Sequence, residues 1–285
     1  MKLHVLTSIL CICFWIYVAP EAFGVTKHVA TTQNSQPRRL AWYRWTTGQF
    51  EILSVNDTQA QYLYANVENI KKWTYTRWNL KNYKMALPCR LVCVDEPRLF
   101  KRLFNLDRSR VEMRYDDDGK PSSIVAYLLL DPSAGTPSQS LPAIMTRVCL
   151  LNIDARFGVQ TPPFVSFGMS GLNQTVSQIR EFRARGAQQI KEKKNQFSVD
   201  EILGSTQEEY SEFSSEERLE FQLNSVLFAD FVVSEFGVNT YKNLYIATAK
   251  SDSDTLNTGL RALNRSSLQL QREFVRHLYS LVASS

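Results

Sequence analysis

The sequence predicts an α+β fold, in which an N-terminal mixed α/β sheet subdomain is followed by a mostly helical C-terminal subdomain. Between residues 50 and 130, short alternating apolar stretches typical of strands are interspersed with helical patterns. A Ser/Pro/Gly-rich connector at 132–140 ends that region, and the chain beyond it shows helical periodicity almost throughout. The 285 residues, 44% hydrophobic and 21% charged, are enough to bury a core. We therefore assign a signal peptide to 1–24, a basic and aromatic arm to 25–47, the sheet subdomain to 48–139 and the helical subdomain to 140–285.

Residues 1–24 are typical of a secretory signal peptide. Lys2 gives a basic start, residues 5–18 form an apolar run, and Ala22-Phe23-Gly24 places small residues where signal peptidase cleaves. The run is shorter than the about 20 residues that a membrane-spanning helix needs, which favours cleavage near Gly24 over a retained anchor. We expect a secreted or periplasmic protein with no membrane span after cleavage.

The arm at 25–47 is basic and contains no acidic residue. Its segment Trp42-Tyr43-Arg44-Trp45 interleaves aromatic rings with a base, so that Trp42, Arg44 and Trp45 could stack against a sugar, a nucleic acid or a lipid headgroup. The alternative is a strand that leads into the domain and packs its aromatic residues on it, and an isolated aromatic cluster favours this second interpretation. The net charge of +5 is too mild to indicate nucleic acid, and we expect no nucleic-acid partner.

The sheet subdomain is predicted to begin with a strand at Phe50–Ser54 and a helix from Thr58 to Trp78, for which Asn56-Asp57-Thr58 offers a cap. A strand at Leu87–Val94 follows, then a helix from Pro97 to Phe104. The acidic run at 116–118 lacks the further ligands of a calcium-binding loop, so it predicts a hairpin turn before a strand at 123–130. Beyond the connector, the periodicity predicts helices over 141–155, 173–194, 199–203, 216–236, 240–249 and 266–282.

Cysteine and histidine usage limits the chemistry of the mature chain. Cys89, Cys93 and Cys149 allow at most one disulfide, for which Cys93 and Cys149 are the candidate pair, and the odd number favours buried thiols. Only His28 and His277 remain after signal cleavage, which excludes clustered histidine ligands. A Cys149–His277 dyad would require the fold to join them, whereas a lone cysteine on an apolar helix is typical of a core.

Several segments together form the frame of a known family. They are Gly48–Ser54, Leu87–Val94, Arg98–Phe104, Ile144–Leu151, Phe157-Gly158 and Pro162–Ser170. In order and spacing they resemble the bacterial secreted or periplasmic peptidase MA-like proteins, relatives of the gluzincin metallopeptidases. The resemblance covers most of the mature chain and implies a gluzincin-like helical subdomain.

The resemblance also identifies what this chain lacks. In the family, the two histidines of a His-Glu-x-x-His motif and a later glutamate bind zinc, and the motif glutamate is the general base. Ile144 and Val148 stand at the histidine positions, Met145 at the base and Phe167 at the distal glutamate. These apolar side chains offer zinc no nitrogen or carboxylate ligand. The resemblance therefore implies a degenerate site with no metal and no cofactor, in which Ile144, Val148 and Phe167 meet in a dry contact.

Two functions follow as hypotheses. The first is a non-catalytic pseudo-peptidase with a binding or structural role in the cell envelope, where an unknown envelope protein or polymer occupies the former substrate cleft or the aromatic arm. The alternative is a hydrolase with a relocated, non-zinc active site built on Cys149 or on carboxylates in the cleft.

Overall fold

The described structure consists of a five-stranded mixed sheet, helices that pack on it and further helices that pack on those. The computed structural model describes residues 40–81, 83–130, 137–192, 197–251 and 254–283. The predicted signal peptide and most of the arm lie outside these residues. The strands are Tyr43–Thr47 (β1), Phe50–Ser54 (β2), Cys89–Val94 (β3), Arg110–Tyr115 (β4) and Pro121–Leu129 (β5). The helices are Asp57–Arg77 (α1), Pro97–Phe104 (α2), Pro137–Phe157 (α3), Pro163–Leu172 (α4), Val176–Lys191 (α5), Val199–Gly204 (α6), Gln207–Glu212 (α7), Ser215–Phe236 (α8), Val238–Ala249 (α9), Thr255–Leu263 (α10) and Ser267–Ala283 (α11).

The sheet has the strand order β1-β2-β3-β5-β4. Its three central strands run parallel, and both outer strands pair antiparallel to their neighbours. Ile52, Leu91 and Ala126 stand in register on one face and belong to the main core together with residues of α1 and α3. Helix α2 covers part of the other face, where Leu99 and Phe100 pack with Val94. The predicted α+β fold is confirmed.

Local sequence signals account for several helix starts. The Asn56 side chain accepts a hydrogen bond from the Gln59 backbone N–H, so within the predicted segment Asn56-Asp57-Thr58 it is Asn56 that caps α1. Helix α5 begins at Val176 rather than at 173, because Thr175 and Gln178 form a capping box that fixes the start. Every predicted helix is present, with ends that differ by a few residues.

Helices α4, α7 and α10 are not among the helices that periodicity predicts. Helix α4 is buried around nearly its whole circumference, so it lacks the polar face that reveals an amphipathic helix. Helix α7 has six residues, none of them buried, and α10 is also short. Such segments leave too weak a pattern to be recognised in the sequence.

One continuous apolar core joins the sheet to the helices. It contains Phe50 and Ile124 from the sheet together with Val148, Phe228 and Phe274 from the helical region. The sheet itself begins at Tyr43, because Tyr43–Thr47 pairs with β2 across a turn at Gly48. The last residues of the predicted arm are thus part of the sheet. Within the described part of the chain, none of the helices combines the length and the apolar character needed to cross a membrane.

Candidate functional site

The four positions that correspond to the zinc-peptidase motif lie in or against the apolar core. On α3, Met145 and Val148 are buried and Ile144 is half-buried against the core. Phe167 on α4 is also half-buried, with its ring centre 5.0 Å from that of Tyr210. These side chains contribute packing and offer no nitrogen or carboxylate to a metal. The direct contact among Ile144, Val148 and Phe167 stays a prediction.

A buried amide stabilises the helix arrangement next to these positions. Asn173, which is fully buried at the end of α4, directs its Nδ2 towards Thr146 Oγ1 at 2.7 Å and Thr74 Oγ1 at 3.2 Å. These contacts link α4 to α3 and α1. Because a buried polar group is costly unless it is hydrogen-bonded, this network fixes the relative position of the three helices.

Helices α4 and α8 approach each other closely through glycine. A Cβ on Gly168 would overlap the Tyr241 hydroxyl and would lie 2.7 Å from Cβ of Ala229. A Cβ on Gly171 would overlap the side chain of Val226. At these two glycines the helices are in close contact, and a methyl group does not fit without a shift of its neighbours.

The proposed Cys149–His277 dyad is not formed. Cys149 is completely buried near Tyr75, whereas His277 Nε2 lies 3.5 Å from Asp230 Oδ2 and its ring packs on Phe231. Burial raises the pKa of the Cys149 thiol to about 12, so the thiolate that a nucleophile requires is strongly disfavoured. Cys89, Cys93 and Cys149 are all free and buried, in agreement with the preference for thiols over a Cys93–Cys149 disulfide.

The structure places the aromatic residues of the arm on different faces of the sheet. The Trp45 ring lies 5.2 Å from Tyr64, and its Nε1 donates to Asp57 Oδ1 on the face covered by α1. Trp42 packs on the opposite face, against the small cluster around Phe100. Arg44 shares that second face and forms an ion pair with Glu51. The three residues therefore do not form one stacking surface.

A cleft of about 810 Å³ opens beside the C-terminal half of α3. One wall is formed by the β4–β5 hairpin through Met113, Tyr115 and Pro121. The opposite wall consists of Leu151, Asp154 and Ala155 of α3 with the adjoining loop at 158–163. Residues 204–207 and 248–251 complete the cleft with mostly polar groups. Its size is that of a typical ligand-binding site.

Asp154 lies in the wall of this cleft and is 7% exposed. Its Oδ1 accepts a hydrogen bond of 2.7 Å from Thr161 Oγ1, and its Oδ2 accepts one of 3.1 Å from the Thr161 N–H. The Tyr245 hydroxyl lies 3.4 Å from Thr161 Oγ1. Since Thr161 Oγ1 has one proton and directs it to Asp154, Tyr245 is left to donate to Thr161. The loop after α3 is thereby attached to the carboxylate.

Burial perturbs the acid–base behaviour of Asp154. It raises the pKa of the carboxyl to about 6, although both hydrogen bonds from Thr161 act to lower it. The dominant cause is the loss of solvation of the charged form. A carboxyl with a strongly shifted pKa inside a cleft is a candidate functional group.

Sequence reasoning did not identify Asp154 or Thr161. The available signal is a single acid following an apolar helical stretch, Val148-Cys149-Leu150-Leu151, and separated from Thr161 by a glycine-containing loop. An acid on a mostly apolar helix must find a partner or line a cavity. That argument points to Asp154 as special but does not reveal its partner.

Among the residues that the structure describes, no group of three or more His, Cys, Asp or Glu side chains is arranged to hold a metal ion. No protein-family model matches the chain, and no curated protein matches its sequence. The resemblance to the peptidase MA-like proteins therefore stays a prediction.

Proposed function

We propose that this chain is a non-catalytic binding protein that acts outside the cytoplasm and holds a polypeptide segment of an envelope protein in the cleft between β4 and α3. The observation that carries the proposal is a contrast on one helix. The motif positions of α3 are apolar and lie in or against the core, whereas its C-terminal half borders an open cleft of about 810 Å³.

The edge strand β4 suggests how a polypeptide would be held. β4 lies at one end of the sheet order, so among the described strands it pairs only with β5. A strand at a sheet edge keeps backbone N–H and C=O groups that an extended peptide can pair with. Met113 and Tyr115 of β4 face the cleft, and would contact the side chains of such a peptide.

The location outside the cytoplasm follows from the predicted signal peptide and needs its own test. We expect the N-terminus of the exported protein, determined by mass spectrometry, to lie near Val25. A mature protein that still carries Met1 would contradict cleavage and would favour an anchored form.

A photo-crosslinking experiment tests the cleft. Tyr115, 61% exposed, is replaced by benzoylphenylalanine, and the protein is irradiated with a pool of short degenerate peptides. The same replacement at Tyr279 on α11, 59% exposed, is the matched control because it is equally accessible but is not among the residues lining the cleft. We expect crosslinks from position 115 well above those from position 279. Equal crosslinking at both positions would contradict binding in the cleft.

The same peptide pool tests the absence of catalysis. After incubation with the wild-type protein and added Zn²⁺, the pool is analysed by mass spectrometry for cleavage products. We expect an unchanged pool, since Ile144, Val148 and Phe167 cannot ligate zinc. Cleavage that a chelator abolishes would overturn the pseudo-peptidase proposal, and cleavage that survives the chelator would favour the alternative of a relocated site.

A further inference from the structure

The carboxyl group of Asp154 is nearly buried and only half satisfied by hydrogen bonds. A carboxylate can accept about four hydrogen bonds, and Thr161 supplies two of them, one to each oxygen. Asp154 is the only acidic residue among the described residues that line the cleft. Among the described residues, no ion pair joins it to a cation of the protein. Burial of a carboxylate without a cation is unfavourable, and a ligand that brings a positive charge would relieve it.

The geometry restricts which cation fits. A guanidinium binds best as a planar fork to both carboxylate oxygens at once, and Thr161 already makes such a two-oxygen contact, so a fork would need the one remaining acceptor position on each oxygen. A divalent metal such as Ca²⁺ needs six or more oxygen ligands, commonly from several carboxylates, whereas this cleft supplies one carboxylate. A primary ammonium group is a compact point charge with three donors and needs no fork. It needs only one free lone pair of Asp154 and leaves its other donors for water in the cleft.

We propose that the cleft selects ligands carrying a primary ammonium group, and that Asp154 receives this group. The inference rests on the proposed function for the polypeptide nature of the ligand, and it adds what that polypeptide must present to the cleft. A lysine side chain and a free N-terminus both supply the ammonium, and the experiment separates them.

Lys250 is the other charged residue that lines the cleft, and it lies at an exposed position after α9. Among the described residues no ion pair joins it to Asp154, so the variant Lys250→Gln, which removes a like charge from the cleft, is expected to bind the ammonium probes at least as tightly as the wild type.

The test uses four pools of short degenerate peptides with matched composition. They combine a free or an acetylated N-terminus with either lysine or norleucine at one position, so that the last pool has no ammonium group. Binding to the immobilised full-length protein is measured at pH 7, where both the N-terminal amine and the lysine side chain are mostly protonated. We expect ammonium-bearing pools to bind about tenfold more tightly than the acetylated norleucine pool, the effect of a hydrogen-bonded charge. The pool with the stronger preference identifies lysine or the N-terminus as the source.

Two variants decide whether Asp154 is responsible. Asp154→Asn is expected to remove the preference, whereas Asp117→Asn, the same substitution at an exposed position of the β4–β5 turn, is expected to retain it. Circular dichroism establishes whether each variant is folded. If Asp154→Asn does not fold, calorimetry on the wild type replaces it. Binding of an ammonium to a partly protonated carboxyl must release protons near pH 6. Binding without proton release would overturn the proposal.

The outcomes separate this inference from the proposed function. Equal binding of all four pools to the wild type, or an unchanged preference in Asp154→Asn, would overturn ammonium selection while leaving the peptide-binding proposal intact. Peptide cleavage would overturn the proposed function alone. Binding of none of the pools would count against both.

Discussion

The two halves of helix α3 have opposite characters. Around Met145 and Val148 the helix packs against the apolar core, and nearby Gly168 lets α4 and α8 approach closely. Around Asp154 and Ala155 the same helix borders an open, mostly polar cleft. The packed half and the open half are separated by only a few turns of helix.

This difference separates residues that stabilise the fold from residues that are available for binding. A well-packed site tolerates neither added atoms nor added polarity, because every neighbour is already in van der Waals contact. A buried carboxyl in an open cleft instead lowers stability in its charged form, a cost that proteins retain where it serves recognition. Added atoms or added charge should therefore lower the free energy of unfolding strongly in the packed half and only weakly in the open half.

The largest effect is expected where charge is introduced into the packed half. Val148 is completely buried, so Val148→Asp places a carboxyl in the core without a partner and should lower the free energy of unfolding by about 4 kcal/mol. The same substitution at Val176, 66% exposed in the first turn of α5, is the control and should change it by less than about 0.5 kcal/mol. Urea denaturation of both variants provides the comparison. Similar stabilities would show that position 148 is not part of a dry core.

The second effect depends on pH and belongs to the open half. Burial raises the pKa of Asp154 to about 6 from an ordinary value of 3.8, so between these values the folded chain binds the proton more tightly than the unfolded chain. The stability that the neutral carboxyl provides is fully present below pH 3.8 and is lost as the pH rises to about 6. The loss over this window is on the order of 3 kcal/mol.

Comparison with Asp154→Asn isolates this contribution, because the asparagine does not titrate. Relative to Asp154→Asn, the wild type should lose unfolding free energy as the pH rises from 4 to 7. Asp117→Asn, with its exposed position, controls for the general effect of removing a charge. A difference that stays constant with pH would contradict the raised pKa.

A single methyl group tests the close packing of α4 on α8. Gly168→Ala would bring a Cβ within 2.7 Å of Ala229 Cβ and 3.0 Å of the Ser225 carbonyl oxygen. The helix propensity of alanine offsets part of the clash, and a net destabilisation of about 2 kcal/mol is expected. Gly204→Ala is the control, since its nearest neighbour, Leu256 Cβ, lies 3.9 Å away. Thermal unfolding of both variants measures the contrast, and equal melting temperatures would argue against a rigid contact.

Much of the fold is predictable because local patterns encode it. The strand at Phe50–Ser54 matches the prediction, and the cap of α1 lies in the predicted segment Asn56-Asp57-Thr58, since alternation and capping act over a few residues. Helix α4 is not recognised by periodicity because its burial depends on α3 and α8, which approach it from different sides. Local patterns cannot report such an all-round tertiary environment.

The candidate site is much less predictable than the fold. The apolar character of positions 144, 145, 148 and 167 is visible in the sequence, and the structure places these residues in or against the core. The cleft is not visible there, because it is assembled from the β4–β5 hairpin, α3 and residues near 205 and 250. The burial of Asp154 depends on all of these segments together, so its raised pKa appears only once the chain is folded.

The smallest effect on stability is expected from filling the open half. Ala155 lines the cleft and is half-buried, so the larger side chain in Ala155→Leu can extend into free volume. Leucine is nearly as good a helix former as alanine, and the change in unfolding free energy should stay within about 0.5 kcal/mol. Binding of the ammonium-bearing peptide pools should nevertheless fall, because the added side chain occupies the space beside Asp154. Urea denaturation and the pool-binding assay measure the two quantities on one variant. A large loss of stability with binding unchanged would mean that α3 is packed along its whole length and that peptides bind elsewhere.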